Sequence, residues 1–225
     1  MQFPNLRRGI NRIIVGEVMG VVSTILFGFS SFMLSLTSAA LNYYNIKLIV
    51  ILSSVSLVVT VTANLLNIIS SIVLFTGLIT ARQDETKFKE AIIIIVVSLV
   101  MLVLQLFINS DIKSILVIIN GLADMWVMVV VIQGFVNILD KLKDYTLAEY
   151  GIRLIKRTIL LSVVTILSNI TLDFFMINIS FAIMGMIFTL VSAAAQIVNY
   201  IFYVGFLRKC KSLYFSKQII YNKTI

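Results

Sequence analysis

The groups that could do chemistry in this chain are two carboxyls and a few amides set inside long apolar runs. Asp124 lies in Val117–Phe135, VIINGLADMWVMVVVIQGF, 11 residues after Lys113 and 17 before Lys141. Its side chain is too short to reach a membrane surface from there. A charged Asp at the centre of a membrane helix costs about 2.5–3.5 kcal/mol on insertion scales. Apart from Lys156 and Arg157 at the very start of the fifth, no Lys or Arg falls inside any of the apolar runs to neutralise it. Three states resolve the conflict: desolvation keeps Asp124 protonated, a cation binds it, or it faces water in a crevice. Asn120, one turn earlier, shares its helical face.

Glu17 reads differently. It follows Arg12 by five residues, about 7 Å along a helix axis. From there it is expected to snorkel to the surface or pair with the basic opening segment. It also falls in an early helical turn, where the helix dipole favours negative charge. The expectation is a structural role, at a depth different from that of Asp124.

Polar residues at helical spacing form stripes on the remaining runs. The second run offers Asn64 and Asn67, and the sixth offers Gln196 and Asn199. Small and hydroxylated residues pack membrane helices closely, and GEVMG (Gly16–Gly20) is such a pattern. Four amides exceed what close packing needs. Asp124, Asn120, Asn67, Asn64, Gln196, Asn199 and Glu17 are therefore the candidate intramembrane polar site.

Enzymatic chemistry is not expected. The chain has no His and one Cys, which removes the common zinc sites and His acid–base catalysis. No phosphate loop, dinucleotide fingerprint, zinc-protease motif or nucleophile elbow occurs. The hydroxyls have no His or intramembrane Lys to activate them. No cofactor or metal is expected.

The elements that must hold these residues are membrane helices. The chain has 225 residues, 60% hydrophobic and 12% charged, with mean hydropathy +1.07. A soluble domain is about a quarter charged. Crossing about 30 Å of hydrocarbon takes about 20 helical residues. Six runs qualify, at 13–36, 52–80, 91–108, 114–138, 156–176 and 181–206. The first is too long for the core of a cleaved signal peptide and is expected to stay as an anchor. The second is read as one tilted span with an uncharged lead-in from Leu48, and NIS (Asn178–Ser180) supplies the turn before the last span.

With six spans, all of the 18 Lys and Arg except Lys47 and Lys113 fall on one side. That asymmetry places both termini and the two larger loops in the cytoplasm. The expected fold is an all-α integral membrane protein. It is a single polytopic domain of six transmembrane helices arranged as three consecutive helical hairpins. Residues 140–157 carry Leu142, Tyr145, Ile152 and Ile155 at near-helical spacing among charges, the pattern of an interfacial helix.

The ends of the hairpins resemble one another, which raises a threefold internal duplication. Gly9 would then correspond to Gly151, and Gly77 to Gly134 and Gly205. The net charge of +8 fits topology and anionic lipid headgroups on the cytoplasmic side. Nucleic-acid binding is not expected, because no basic domain or motif accompanies the charge. The Ile-, Asn- and Lys-rich style suits an AT-rich bacterial genome, hence a bacterial plasma membrane. Two functions fit. One is a non-enzymatic membrane component acting through helix packing, as a homo-oligomer or with a membrane-protein partner. The other is a small transporter or channel with Asp124 as its proton- or cation-binding carboxyl. Cys210 is expected to react with an impermeant thiol reagent from the cytoplasmic side.

Overall fold

A computed structural model describes the backbone of residues 3–41, 46–104, 110–176 and 182–223. It describes the side chains of residues 3–34, 36–37, 46–101, 103–104, 115–116, 118–168 and 187–214. Six helices account for nearly all of this: α1 (Pro4–Leu41), α2 (Ile46–Ala81), α3 (Lys87–Leu104), α4 (Ser110–Lys141), α5 (Tyr145–Met176) and α6 (Ala182–Lys223). Many of the residues are Ile and Val, which are mediocre helix formers in water. In lipid every backbone N–H and C=O must be satisfied within the segment, and a helix does this regardless of side chain. The single proline, Pro4, opens α1, where its missing N–H costs nothing.

Four segments are long and apolar enough to cross a membrane: Pro4–Leu34, Ile46–Ala81, Ile118–Lys141 and Ile187–Tyr214. Among the described residues, α3 and α5 do not reach that standard. α3 has 18 residues and opens on Lys87, Lys89 and Glu90; α5 opens through Glu149, Arg153, Lys156 and Arg157. The outward faces are apolar, unlike those of a soluble domain. Leu57, Val58, Ile93, Leu160 and Ile201 face outward, while Ser23, Ser30, Ser56, Ser70, Thr165, Ser192 and Asn199 are buried. An apolar exterior of this extent needs lipid or a partner to cover it.

Each helix packs against its neighbours in the chain, and α6 closes back on α1. The result is a ring of six helices. The α1–α2 seam is the most extensive contact. A Cβ at Gly9 would lie 2.5 Å from the Gly77 carbonyl oxygen, and one at Gly16 would lie 2.8 Å from the Leu74 nitrogen. Hydroxyls then reach across the seam to carbonyls of the other helix. Ser70 donates to Gly16 at 2.7 Å, Ser23 donates to Ala63 at 2.9 Å, and Ser30 meets Ser56 and Thr60. Gly16 of GEVMG is therefore used within the chain, to seat α1 on α2.

The other glycines do different work. Gly134 makes room for the Phe88 ring, and Gly151 sits against Val136 and Phe206, whereas Gly205 has nothing near it. Phe88, Phe135 and Phe206 meet edge to face around these positions. The glycines aligned in the sequence thus have unequal packing roles.

Several helices outrun their expected boundaries. α2 begins at Ile46, so the uncharged lead-in from Leu48 is helical, and α1 begins at Pro4 rather than near residue 13. Hydropathy marks only the apolar part of a helix, and charged turns extend it. The stretch 140–157, read as an interfacial helix, is divided between the end of α4 and the start of α5. α4 runs to Lys141, Lys143 adopts φ 57°, and α5 starts at Tyr145 and continues to Met176. Asp144 accepts from the Leu147 N–H at 3.1 Å and caps α5. Ala148 and Leu154 point into the core. The NIS turn at 178–180 lies outside the described residues.

One end of the ring is tied by polar contacts between distant segments. The Asp84 carboxylate accepts from the Leu6 N–H at 2.6 Å and from Asn5 at 3.2 Å, capping α1 from the α2–α3 loop. Glu85 is buried and accepts from Lys141 at 2.7 Å and from Asn137 at 3.1 Å. Burial opposes ionisation of Glu85, but the hydrogen bonds from Lys141 and Asn137, with the Lys141 charge, outweigh it. The net result holds its carboxyl below the ordinary value of 4.5. The Tyr214 hydroxyl donates to the Phe3 carbonyl, so the start of α1 and this part of α6 lie at the same end.

Gly9→Ala should destabilise the protein by about 1–3 kcal/mol, because its Cβ meets backbone rather than a flexible side chain. Gly205→Ala, made in open space, should stay within about 0.5 kcal/mol. Thermal unfolding in detergent compares the two. A second expectation concerns pH. A depressed folded-state pKa means that Glu85 stabilises the fold above about 4.5, the ordinary carboxyl value, and that this contribution fades as pH falls further. Glu85→Gln should lower stability at pH 7 and flatten its decline below that point, measured as midpoint against pH.

Candidate functional site: a polar interior lined by six helices

Two partly open cavities occupy the centre of the ring. The larger, about 140 Å³, is lined from α1, α4, α5 and α6. The smaller, about 60 Å³, is lined from α1, α2, α3, α4 and α6. Asp124, Met128 and Tyr200 line both and form the wall between them.

α4 delivers Asp124 to this wall. From Val127 to Ile132 every side chain is buried, and Phe135, Val136, Ile138 and Leu139 continue the buried stretch. That packing fixes the helix, and Asp124 lies one turn before it with its side chain exposed to the cavities. Ser98 of α3 donates to Asp124 at 3.4 Å and more closely to Asn120. One hydroxyl hydrogen thus bridges two acceptors a turn apart. Of the three states open to Asp124, the geometry is that of a residue facing a crevice.

Glu17 does not reach the surface and does not pair with the basic segment. It is 4% exposed, and the Tyr203 hydroxyl of α6 donates to it at 3.1 Å. It lines the smaller cavity together with Asp124. The expectation of separate depths is therefore corrected. The close α1–α2 packing turns Glu17 toward the ring centre, where α6 supplies its partner.

The amides divide. Asn67 lines the smaller cavity, and Gln196 and Asn199 line the larger. Asn199 is 5% exposed; its Nδ2 donates to the Met128 sulfur at 3.8 Å, and its Oδ1 has no partner. A thioether only accepts, which matches the amide nitrogen facing it. Asn64 is not part of the arrangement, because its Nδ2 returns to the Thr60 carbonyl of its own helix at 2.9 Å. Asn120 touches it only through Ser98. The side chains of Asn169 and Asp173, polar positions of the fifth run, lie outside those described.

Tyr200 belongs to the site although its sequence position reads as apolar. It lines both cavities and lies beside Thr24. The signal was present: Gln196, Asn199, Tyr200 and Tyr203 fall at helical spacing on one face of α6. Ser70 and Thr165 also line the cavities from buried positions.

The electrostatics are one-sided. Two carboxyls face this interior, and no Lys or Arg lines either cavity among the described residues. Low-dielectric walls strengthen any interaction with a cation that enters. No group of three His, Cys, Asp or Glu suited to a metal ion occurs among the described residues. Comparison with known protein families, curated proteins and solved structures finds no match to this chain.

Proposed function

We propose that this protein is a small membrane transporter that takes a proton or another cation into its polar interior, with Asp124 as the binding carboxyl. The observation that carries this reading is the exposure of Asp124 to two central cavities, the smaller of which also holds Glu17, with no basic side chain lining either among the described residues. A residue serving only helix packing would have its polar atoms sealed against a partner helix. Packing alone does explain the α1–α2 seam, where small residues and hydroxyls meet backbone directly. The reading of a non-enzymatic component that works through a partner accounts for that seam and leaves the crevice without a use.

In this proposal α3 and α5 also cross the membrane, giving six spans with both termini in the cytoplasm of a bacterial cell. The distribution of Lys and Arg supports that orientation. So does the joining of the start of α1, the α2–α3 loop, the end of α4 and the Tyr214 stretch of α6 at one end. Anionic headgroups would gather at that end.

Asp124→Asn keeps the shape and hydrogen-bonding capacity of the side chain and removes its charge. The variant should fold normally and lose cation- or proton-coupled flux in proteoliposomes. Wild-type flux in a well-folded Asp124→Asn would remove the residue from the mechanism. Orientation needs a better reporter than Cys210, which is 4% exposed and shielded from reagents. In a Cys210→Ser background, Gln83→Cys should label with an impermeant reagent only from the cytoplasmic side, and Lys47→Cys only from outside. The opposite pattern would reverse the topology.

A further inference from the structure

The larger cavity carries a second feature, independent of the carboxyls. Asn199 lines the cavity, and its Oδ1 is buried and without a partner. A buried acceptor without a donor is an uncompensated desolvation. A ligand that supplies an N–H or O–H would relieve it. The charge of the site then restricts what that donor belongs to, because Asp124 faces the same space and no Lys or Arg lines it among the described residues.

Size and softness narrow the ligand further. A volume of about 140 Å³ is close to that of an engineered protein cavity of about 150 Å³ that binds benzene. Met125 and Met128 both line it. Thioethers are poor ligands for hard alkali cations and good neighbours for methyl and methylene groups. Gln196 and the Tyr200 phenol add polar atoms at the same wall.

We propose that the larger cavity binds a small protonated amine, whose ammonium N–H groups donate to the Asp124 carboxylate and to the Asn199 amide oxygen. The carbon part of the amine rests on Met125 and Met128. A quaternary ammonium has the charge but no N–H, so it satisfies Asp124 and leaves Asn199 unpaired. Discrimination between the two kinds of ammonium is the signature of the site. The assignment rests on the reading of Asp124 as a cation-binding carboxyl and adds the class of cation.

The test is equilibrium binding of radiolabelled methylammonium to the purified full chain in nanodiscs, with unlabelled competitors. Methylammonium should bind, and tetramethylammonium should compete about tenfold more weakly or worse, the cost of one lost charge-assisted hydrogen bond. Asn199→Leu should weaken methylammonium by a similar factor and leave tetramethylammonium unchanged. Asp124→Asn should abolish binding of both. The proposal is overturned if wild-type protein binds no methylammonium, if tetramethylammonium competes equally, or if sodium or potassium displaces the label at lower concentration than methylammonium does. Flux separates this from the broader reading. Asp124-dependent transport of protons or sodium without methylammonium binding sinks the amine and leaves the transporter. Methylammonium binding with no flux of any cation keeps the amine site and removes transport.

Discussion

Two carboxyls share an interior that offers them no basic partner among the described residues, and much of the arrangement around them answers that imbalance. Glu17 is met by the Tyr203 hydroxyl. Asp124 receives only a long contact from Ser98 and is otherwise turned toward open space. A fully packed centre would leave that group as an unpaired polar atom in a low-dielectric medium, which is among the costliest things a fold can contain. The cavities are thus the counterpart of the carboxyls. Polar side chains gather along their walls because a space that admits water or a cation tolerates them.

The periphery follows the opposite rule. Outward faces are apolar, and hydrophobic burial cannot drive helices together where the surroundings are as apolar as the helices themselves. The α1–α2 seam shows what replaces it. Glycines bring two backbones to touching distance, and serines cross the remaining gap to carbonyl oxygens. At the polar end, where water and headgroups are near, the devices change to carboxylates capping helix ends and aromatic edges filling the gaps left by Gly134 and Gly151. Rigid ends and a rigid seam frame a centre that is not filled.

The all-helical character was legible in the sequence, because apolar length and helical backbone satisfaction depend on composition alone. The helix ends were less so. Charged turns at 4–12 and 145–155 continue helices that hydropathy breaks off, and nothing in composition distinguishes a helix at the interface from the first turns of a longer one. Asp124 stood out as an isolated charge in an apolar run. The place of Glu17 is not legible, because axial distance from Arg12 says nothing about which way a side chain is turned; the azimuth is set by Gly9 and Gly16 against α2. Asn64 looked equivalent to Asn67, yet an amide can satisfy itself on its own helix, as it does at Thr60. Tyr200 sits in an apolar run and does not stand out there, although its hydroxyl makes it amphipathic.

The closure of the ring by α6 on α1 has a consequence for how the protein is made. Of these six helices, α1 is synthesised first and α6 last, and both cavities draw walls from each of them. The central compartment therefore does not exist during most of translation. Until α6 arrives, Glu17 lacks its phenol donor and the interior is an open trough. The enclosing wall and the Asn199 amide of the larger cavity come with the same final helix.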